Sequence, residues 1–250
     1  MTSLRQTWQV FLRSLRVLMR QPAYLGFTLF QPIVWLLPFG ALFKSIAKIP
    51  GFASGSYIDF LTPGVVVMLA VFSAGWTGMG LLEDIQGGVM DRMLVSPVWR
   101  VAYGALVIVL QTAIIGLLAL ALGANYRGGG GGVLVMLVVA SLLGAAFASL
   151  SNGVGILAGS RETLIGAVSL VQLPLTFLSS ALMQKSLIPG WIQTVAMFNP
   201  VNWAVEAARS AAMEHTNWGL VAGRLGLLIG LTVLCALFAT RAFGRYQRSL

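Results

Sequence analysis

The chain has 250 residues, of which 58% are hydrophobic and only 9% are charged. Soluble domains carry about 25% charged residues because their surfaces must be hydrated, so this composition excludes a soluble globular protein. A bilayer requires about 20 apolar residues for each helical span. The length therefore allows about six spans with short connections, and we expect any large water-soluble machinery to be a separate polypeptide.

The formal net charge of +9 raises the question of nucleic-acid binding. That function requires a folded basic face with base-stacking or groove-reading residues, and the sequence shows no such pattern. Basic residues beside apolar stretches are typical of anchors that contact anionic lipid headgroups. We therefore expect membrane lipids, and not nucleic acid, as partners of these charges.

Residues 4–20 have the pattern of an amphipathic helix. In helical projection the apolar residues fall on one side and the arginines on the other. Such a helix suits the headgroup plane of a membrane, with its guanidinium groups near phosphates. The alternative is an ordinary solvated helix that packs on the rest of the protein. The residues that mark the interfacial helix are Trp8, Arg13, Arg16 and Arg20.

Six apolar stretches follow, and each is long enough to cross a bilayer as a helix. Lipid-exposed sheet edges would leave backbone groups unpaired, and the stretches lack the alternation of barrel strands. The predicted fold is therefore that of an all-α integral membrane protein. The predicted spans are residues 24–43, 58–82, 101–123, 133–157, 164–183 and 220–240.

The distribution of basic residues predicts the orientation. With a cytoplasmic N-terminus, ten of the 16 basic residues fall on inside segments, and the bias is strongest at the two termini. Both termini are therefore predicted to be cytoplasmic. The inside residues are Arg5, Arg13, Arg16, Arg20, Arg92, Arg100, Arg161, Arg241, Arg245 and Arg248.

An unbroken glycine run at residues 128–132 lies between the third and fourth predicted spans. Because glycine is conformationally free, we expect a flexible loop there. A phosphate-binding loop is excluded because no Lys-Ser or Lys-Thr follows. No Walker-type motif occurs in the chain.

Residues suited to catalysis or ion coupling are scarce. Every Asp and Glu falls at or beyond the end of a predicted span, so ion-coupled transport lacks its usual groups. The one histidine, His215, lies in a polar segment where neither a metal cluster nor a Ser-His-Asp arrangement can be assembled. We expect no catalytic site, no metal and no cofactor in this chain.

The most informative loop, residues 83–100, follows the second predicted span and is cytoplasmic in this topology. Met90, Met93 and Leu94 recur at helical spacing, and Pro97 ends the helix. A Met-rich helical face suits an apolar groove on a partner; the alternative is a loop that folds back on its own spans. The motif comprises Glu83, Asp84, Gly87, Gly88, Met90, Asp91, Met93, Leu94, Ser96 and Pro97.

A second motif, at residues 185–219, precedes the last predicted span. Its prolines interrupt helices and its tryptophans suit a membrane interface. Glu206 and Arg209 can pair at i, i+3 on a helix. A structured outer loop is one explanation of these residues. The residues that mark this motif are Pro189, Trp191, Asn199, Pro200, Glu206 and Arg209.

Together the two motifs resemble the permease subunits of the type-2 ABC transporter family, especially the small drug-exporter branch that includes daunorubicin-resistance permeases. Family members usually have Gly-Thr and then Glu before a Leu-Val-Ser/Thr-Pro-Val ending, where this chain has Gly88-Val89 and Asp91. The resemblance covers the whole chain. It implies one transmembrane domain over residues 1–250, a coupling helix in residues 83–100, and an outward, partly re-entrant helical hairpin in residues 185–219.

A polar stripe follows one side of the fifth predicted span. In hydrocarbon its groups need partners or a cavity. Hydrogen bonding between helices is one explanation, and the lining of a pathway between two subunits is the other. The resemblance favours the second, since dimers in the family meet around the first, fifth and sixth helical regions. The stripe comprises Ser169, Gln172, Thr176, Ser179 and Ser180.

The resemblance implies the membrane subunit of an ABC exporter in a prokaryotic cytoplasmic (inner) membrane, paired with a second copy or a homologue. ATP and magnesium would bind a separate ATPase subunit, so this chain would not itself be an enzyme. Because no charge is predicted within the spans, we expect an amphipathic or hydrophobic cargo, drug-like or lipid. The alternatives are a permease for lipid-linked glycan or polysaccharide and, from another class, a stand-alone channel or scaffold.

Overall fold

The structure, a computed structural model, describes residues 22–45, 56–86, 112–121, 123–124 and 127–247. Within these ranges every regular element is helical, which confirms the prediction of an all-α protein. Three helical stretches are long and apolar enough to cross a membrane: Tyr57–Glu83, Gly129–Ala158 and Trp218–Tyr246. The predicted interfacial helix at residues 4–20 lies outside the described residues.

We number the helices in chain order. They are α1 (Pro22–Leu42), α2 (Tyr57–Gly75), α3 (Thr77–Gln86), α4 (Thr112–Ala121), α5 (Gly129–Ala158), α6 (Arg161–Phe177), α7 (Gly190–Phe198), α8 (Pro200–Ala212) and α9 (Trp218–Gln247). A 3-10 turn, Lys185–Leu187, precedes α7.

Helix α5 lies at the centre and packs against α2, α3, α6, α8 and α9. Lipid tails are as apolar as the side chains, so these helices gain their stability from close packing and interhelical hydrogen bonds. The small residues of α8 illustrate the close packing, since Ala204, Ala207 and Ala208 are all 0% exposed. They lie in one buried cluster with Leu143 of α5 and Leu228 of α9.

Contacts between helices fix their relative directions. Helices α5 and α9 run parallel, because Thr232 Oγ1 donates to the carbonyl of Leu142 and Phe238 lies against Gly153 further along both helices. Helix α6 runs antiparallel to α2. The side chain of its Gln172 meets the end of α2, and the chain beyond its C-terminus meets the first half of α2. The bundle therefore has two distinct ends.

We call one end of the bundle the hairpin end. There the starts of α2, α5 and α9 lie beside the chain that follows α6. There Tyr57 Oη donates to the carbonyl of Leu182, and the N–H of Gly128 donates to the carbonyl of Ala212. The opposite end, which we call the Arg161 end, contains the end of α3 and the start of α6.

The glycine run is not the flexible loop that the sequence predicted. Residues 129–132 form the first turn of α5. A Cβ added to Gly132 would lie 2.3 Å from the carbonyl oxygen of Ala211 in α8, so only glycine permits this approach. The prediction was wrong because Gly128 and Gly132 serve a tertiary contact, in which the missing side chains let the backbones of α5 and α8 touch.

The fifth predicted span, residues 164–183, extends six residues beyond the observed helix, since α6 ends at Phe177. The last carbonyls of the helix accept from side chains: Leu175 from Asn199 Nδ2 at 2.6 Å, and Thr176 from Ser179 Oγ at 2.6 Å. These donors replace the backbone N–H groups that a continued helix would supply. Residues 178–184 consequently follow an irregular path.

The contact at the glycine run gives a test of packing. Replacing Gly132 with Ala should lower the free energy of unfolding by about 1–3 kcal/mol, because its methyl group overlaps α8. Gly131 is the matched control, since its Cβ would meet no atom within 4 Å. Gly131→Ala should raise stability by up to about 1 kcal/mol through helix propensity. Thermal unfolding of the purified protein in detergent distinguishes them, and equal effects would contradict the packing argument.

Candidate functional site

The second sequence motif forms a hairpin of α7 and α8. Asn199 joins the two helices, and its Oδ1 accepts the N–H of Val201 at 2.9 Å, while Pro200 is the first residue of α8. An Asn cap followed by Pro at the first helical position is a favoured helix start. Helix α7 faces outward, with Trp191 64% exposed and Phe198 78% exposed, whereas α8 packs inside the bundle.

Arg209 of α8 is at the centre of a polar cluster at the hairpin end. Its guanidinium lies 3.6 Å from the centroid of the Phe60 ring. Nη2 donates to the carbonyls of Phe60 at 3.3 Å and Ser180 at 3.0 Å, with Ala181 at 3.4 Å. One side chain thereby joins α8 to the start of α2 and to the irregular chain after α6.

The predicted pairing of Glu206 with Arg209 is wrong. Glu206 Oε2 instead lies 2.7 Å from Arg224 Nη2 on α9, and Glu206 Oε1 accepts from Asn202 Nδ2 at 3.1 Å. Spacing along one helix permits the first pairing, but α9 brings a second guanidinium closer to the carboxylate. Arg209 turns towards carbonyl groups of residues 180 and 181, where the chain has left the helix.

Charge in this cluster persists at neutral pH. Burial lowers the pKa of the Arg209 guanidinium to about 9, and the neighbouring Glu206 carboxylate opposes this effect by raising it. Helix α8 lies outside the three candidate spans. A cation therefore remains available to hold the carbonyls beside it.

The predicted polar stripe does not lie on one helix. Ser169, Gln172 and Thr176 lie on α6, but Ser179 and Ser180 follow its end, because α6 stops at Phe177. Gln172 Nε2 donates to the carbonyl of Val71 at 2.6 Å. The backbone N–H and the hydroxyl of Ser180 both donate to Asn202 Oδ1, at 3.0 and 2.7 Å. These bonds connect elements within one chain.

Glu83 marks the beginning of the predicted coupling motif at the Arg161 end. Its Oε1 lies 3.3 Å from Arg161 Nη2, and each side chain is about half exposed. Asp84 lies in α3. The remaining motif residues lie outside the described part of the chain: Gly87, Gly88, Met90, Asp91, Met93, Leu94, Ser96 and Pro97.

Comparison with known families decides the identity of the chain. Residues 5–213 match the model of the ABC-2 type transporter family. The chain belongs to this family. It is therefore a permease, the membrane component of an ABC transporter, as the two motifs predicted.

Individual relatives of the permease have names that concern drug resistance or nodulation. It is 30% identical to the daunorubicin resistance ABC transporter permease protein DrrB1 of Streptomyces coeruleorubidus, over 87% of this chain and 77% of the relative. A probable doxorubicin resistance ABC transporter permease protein, DrrC of Mycobacterium tuberculosis, is 27% identical over 82% and 76%. Nodulation protein J of Rhizobium leguminosarum bv. trifolii is 30% identical over 74% and 72%.

The permease also contains a polar junction that the sequence reasoning missed. The second predicted span is interrupted at Trp76, between α2 and α3. The hydroxyl of Ser151 on α5 bonds to the backbone on both sides of this interruption, at Gly75 and Gly78. Gly75 and Gly78 lie three residues apart inside the predicted span, and such a pair of glycines could have indicated a break.

The polar cluster predicts unequal roles for two arginines. Replacing Arg209 with Met should lower the free energy of unfolding by about 1–3 kcal/mol, because the carbonyls of Phe60 and Ser180 lose a charged donor. The matched control is Arg127→Met, since Arg127 lies 4.0 Å from Glu214 with both side chains more than half exposed. That change should cost less than about 1 kcal/mol. Thermal unfolding in detergent measures both, and similar losses would contradict the assigned roles.

Proposed function

We propose that the permease is the membrane subunit of an ATP-driven exporter and that residues 83–100 couple it to a separate ATPase subunit. The observation that carries this proposal is the contact of Glu83 with Arg161. It holds the start of the coupling segment beside the start of α6, at the end of the bundle opposite the α7–α8 hairpin.

The lengths of α2 and α3 support a position of the coupling segment outside the hydrocarbon, in water. Helix α2 has 19 residues and is therefore about 28 Å long, close to the ~30 Å hydrocarbon thickness of a bilayer. Trp76, 47% exposed at its end, suits the membrane interface. Helix α3 then carries the chain beyond the hydrocarbon, to where a soluble ATPase can bind.

The same frame supports six spans with both termini cytoplasmic. Helices α2, α5 and α9 share one direction and α6 has the other, as expected for alternating spans. Arg161 begins α6, and Arg241 and Arg245 lie in the last turns of α9, so all three belong to the end that the positive-inside rule assigns to the cytoplasm. The α7–α8 hairpin then lies at the outer surface, partly re-entrant.

The proposed division of labour follows from these placements. ATP and magnesium bind the partner ATPase, and this chain forms the path together with a second copy or a homologue, in a prokaryotic cytoplasmic membrane. The stripe from Ser169 to Ser180 is our candidate for the pathway or the dimer interface. Relatives named for daunorubicin and doxorubicin resistance support an amphipathic or hydrophobic cargo.

Thiol labelling tests the proposed topology. In a background with Cys235 replaced by Ala, single cysteines at Ser3, Ser96 and Ser249 should be shielded from an impermeant reagent in intact cells. A cysteine at Ser56, beside the start of α2, should react because the hairpin end is outside. Permeabilised cells provide the control for reactivity at all four positions. Ready labelling at Ser96 from outside would contradict the topology and the coupling proposal.

Variants of the coupling segment test its contact with the ATPase. Replacing Met93 and Leu94 together with Ala should weaken ATPase binding by about 2 kcal/mol or more, because anchors in the centre of an interface contribute most of its affinity. Export should be lost, and Asp91→Arg should act through charge at the same contact. Co-purification of the ATPase subunit and export of daunorubicin measure the two effects.

The matched control removes the same side-chain types from the opposite end of the bundle. Met183 and Leu187 are 38% and 40% exposed at the hairpin end. Their double replacement with Ala should leave ATPase binding unchanged. Normal binding and export by the Met93 and Leu94 variant would show that this segment is not the coupling element.

A further inference from the structure

The interruption between α2 and α3 is built from specific partners. Ser151 Oγ donates to the carbonyl of Gly75 and accepts the N–H of Gly78 at 3.1 Å. Ser151 is 2% exposed, so water does not compete for these bonds. One hydroxyl of α5 therefore satisfies an acceptor at the end of α2 and a donor at the start of α3.

Two further side chains complete the junction. Thr77 Oγ1 donates to the carbonyl of Ala74 at 2.7 Å, and Gln172 of α6 donates to the carbonyl of Val71 at 2.6 Å. A helix can be broken in an apolar environment only where neighbouring groups satisfy the freed backbone atoms. Helices α5 and α6 both supply such groups here, so the break is a built feature of the bundle.

Backbone packing reinforces these bonds on one face of α3. A Cβ added to Gly78 would lie 2.4 Å from the carbonyl oxygen of Ser151, and a Cβ on Gly155 would lie 3.1 Å from that of Gly78. Gly80, two residues further along α3, faces open space, with no atom within 4 Å of an added Cβ. Helix α3 thus touches α5 closely at its start, and it stays packed one turn further on, where Leu82 is 2% exposed.

We propose that Ser151 and Gly78 are positioning residues that form the joint through which movement of the coupling segment reaches the spans. This inference rests on the proposed function, which places the ATPase contact after α3. Helix α3 has ten residues, and its last four are the first residues of the coupling segment. A force at its far end turns it about Trp76, where the helical hydrogen-bond ladder is interrupted.

Ser151 converts this turn into movement of the bundle because it holds both sides of the break to α5. Helix α5 packs against α2, α6, α8 and α9, so its displacement reaches the remaining helices. Gln172 ties α6 to the same place through Val71. Loss of the joint leaves the ATPase bound and hydrolysing ATP, but the spans no longer follow it.

The test compares Gly78→Ala and Ser151→Ala in the assembled complex with the ATPase subunit, in inverted membrane vesicles. Daunorubicin uptake per ATP hydrolysed should fall about tenfold, the factor that corresponds to about 1.4 kcal/mol of coupling free energy. ATP hydrolysis per assembled complex should stay within about twofold, because the nucleotide site is untouched.

Two control variants carry matched changes away from the joint. Gly80→Ala adds the same methyl group to α3 without a contact. Thr232→Val removes another interhelical hydroxyl, which donates from α9 to the carbonyl of Leu142 at 3.0 Å. Both controls should retain the wild-type ratio of uptake to hydrolysis.

Unchanged uptake per ATP in both joint variants would overturn the proposal. The proposal would also fail if the joint variants only assembled in lower yield and the assembled complexes kept the wild-type ratio of uptake to hydrolysis. If Gly78→Ala prevents assembly, Ser151→Ala decides, since it only removes an oxygen atom. Failure of the joint variants to uncouple, alongside an inactive Met93 and Leu94 variant, would reject the joint and leave the proposed function intact. Normal export by the Met93 and Leu94 variant would reject both.

Discussion

Hydrogen bonding of the backbone is the constraint on which this structure depends. Lipid offers no partner to a free N–H or carbonyl group, so a helix that stops within the bundle must find its partners in the protein. The described chain stops a helix in this way at Trp76 and at Phe177. Ser151 bonds to the backbone on either side of the break at Trp76. Asn199, Asn202 and Arg209 bond to the backbone around and after Phe177. Several buried polar side chains of the described chain therefore lie where its helices break.

The two ends of the bundle differ in how firmly charge holds them. At the hairpin end, Glu206 and Arg224 are mostly buried and lie 2.7 Å apart, with Asn202 bonded to the same carboxylate. At the Arg161 end, the Glu83 contact is half exposed, and such pairs contribute about 0–1 kcal/mol. One end is fixed, while the other is free to respond to a partner. In the proposed topology, this asymmetry suits a subunit that receives movement from the cytoplasmic side.

The sequence predicted those features that depend on composition and on neighbouring residues along the chain. The all-α fold followed from hydropathy, and the start of α8 followed from Asn199 and Pro200. The errors all involve tertiary neighbours. Periodicity along α8 could not predict that Glu206 would form its ion pair with Arg224 of α9. The glycine run could not predict its own contact with Ala211 of α8. The coupling segment and the interfacial helix stay predictions.

The bonds of Arg209 also bear on how the chain is made. Its guanidinium reaches the carbonyl of Phe60, 149 residues earlier, and that of Ser180, 29 residues earlier. Ribosomes deliver membrane helices from the N-terminus onwards, so the irregular stretch after α6 enters the membrane before its donors on α8 exist. A chain released before α8 would lack the Arg209 guanidinium that donates to these carbonyls. The irregular stretch can therefore reach its final packing only after α8 has been made.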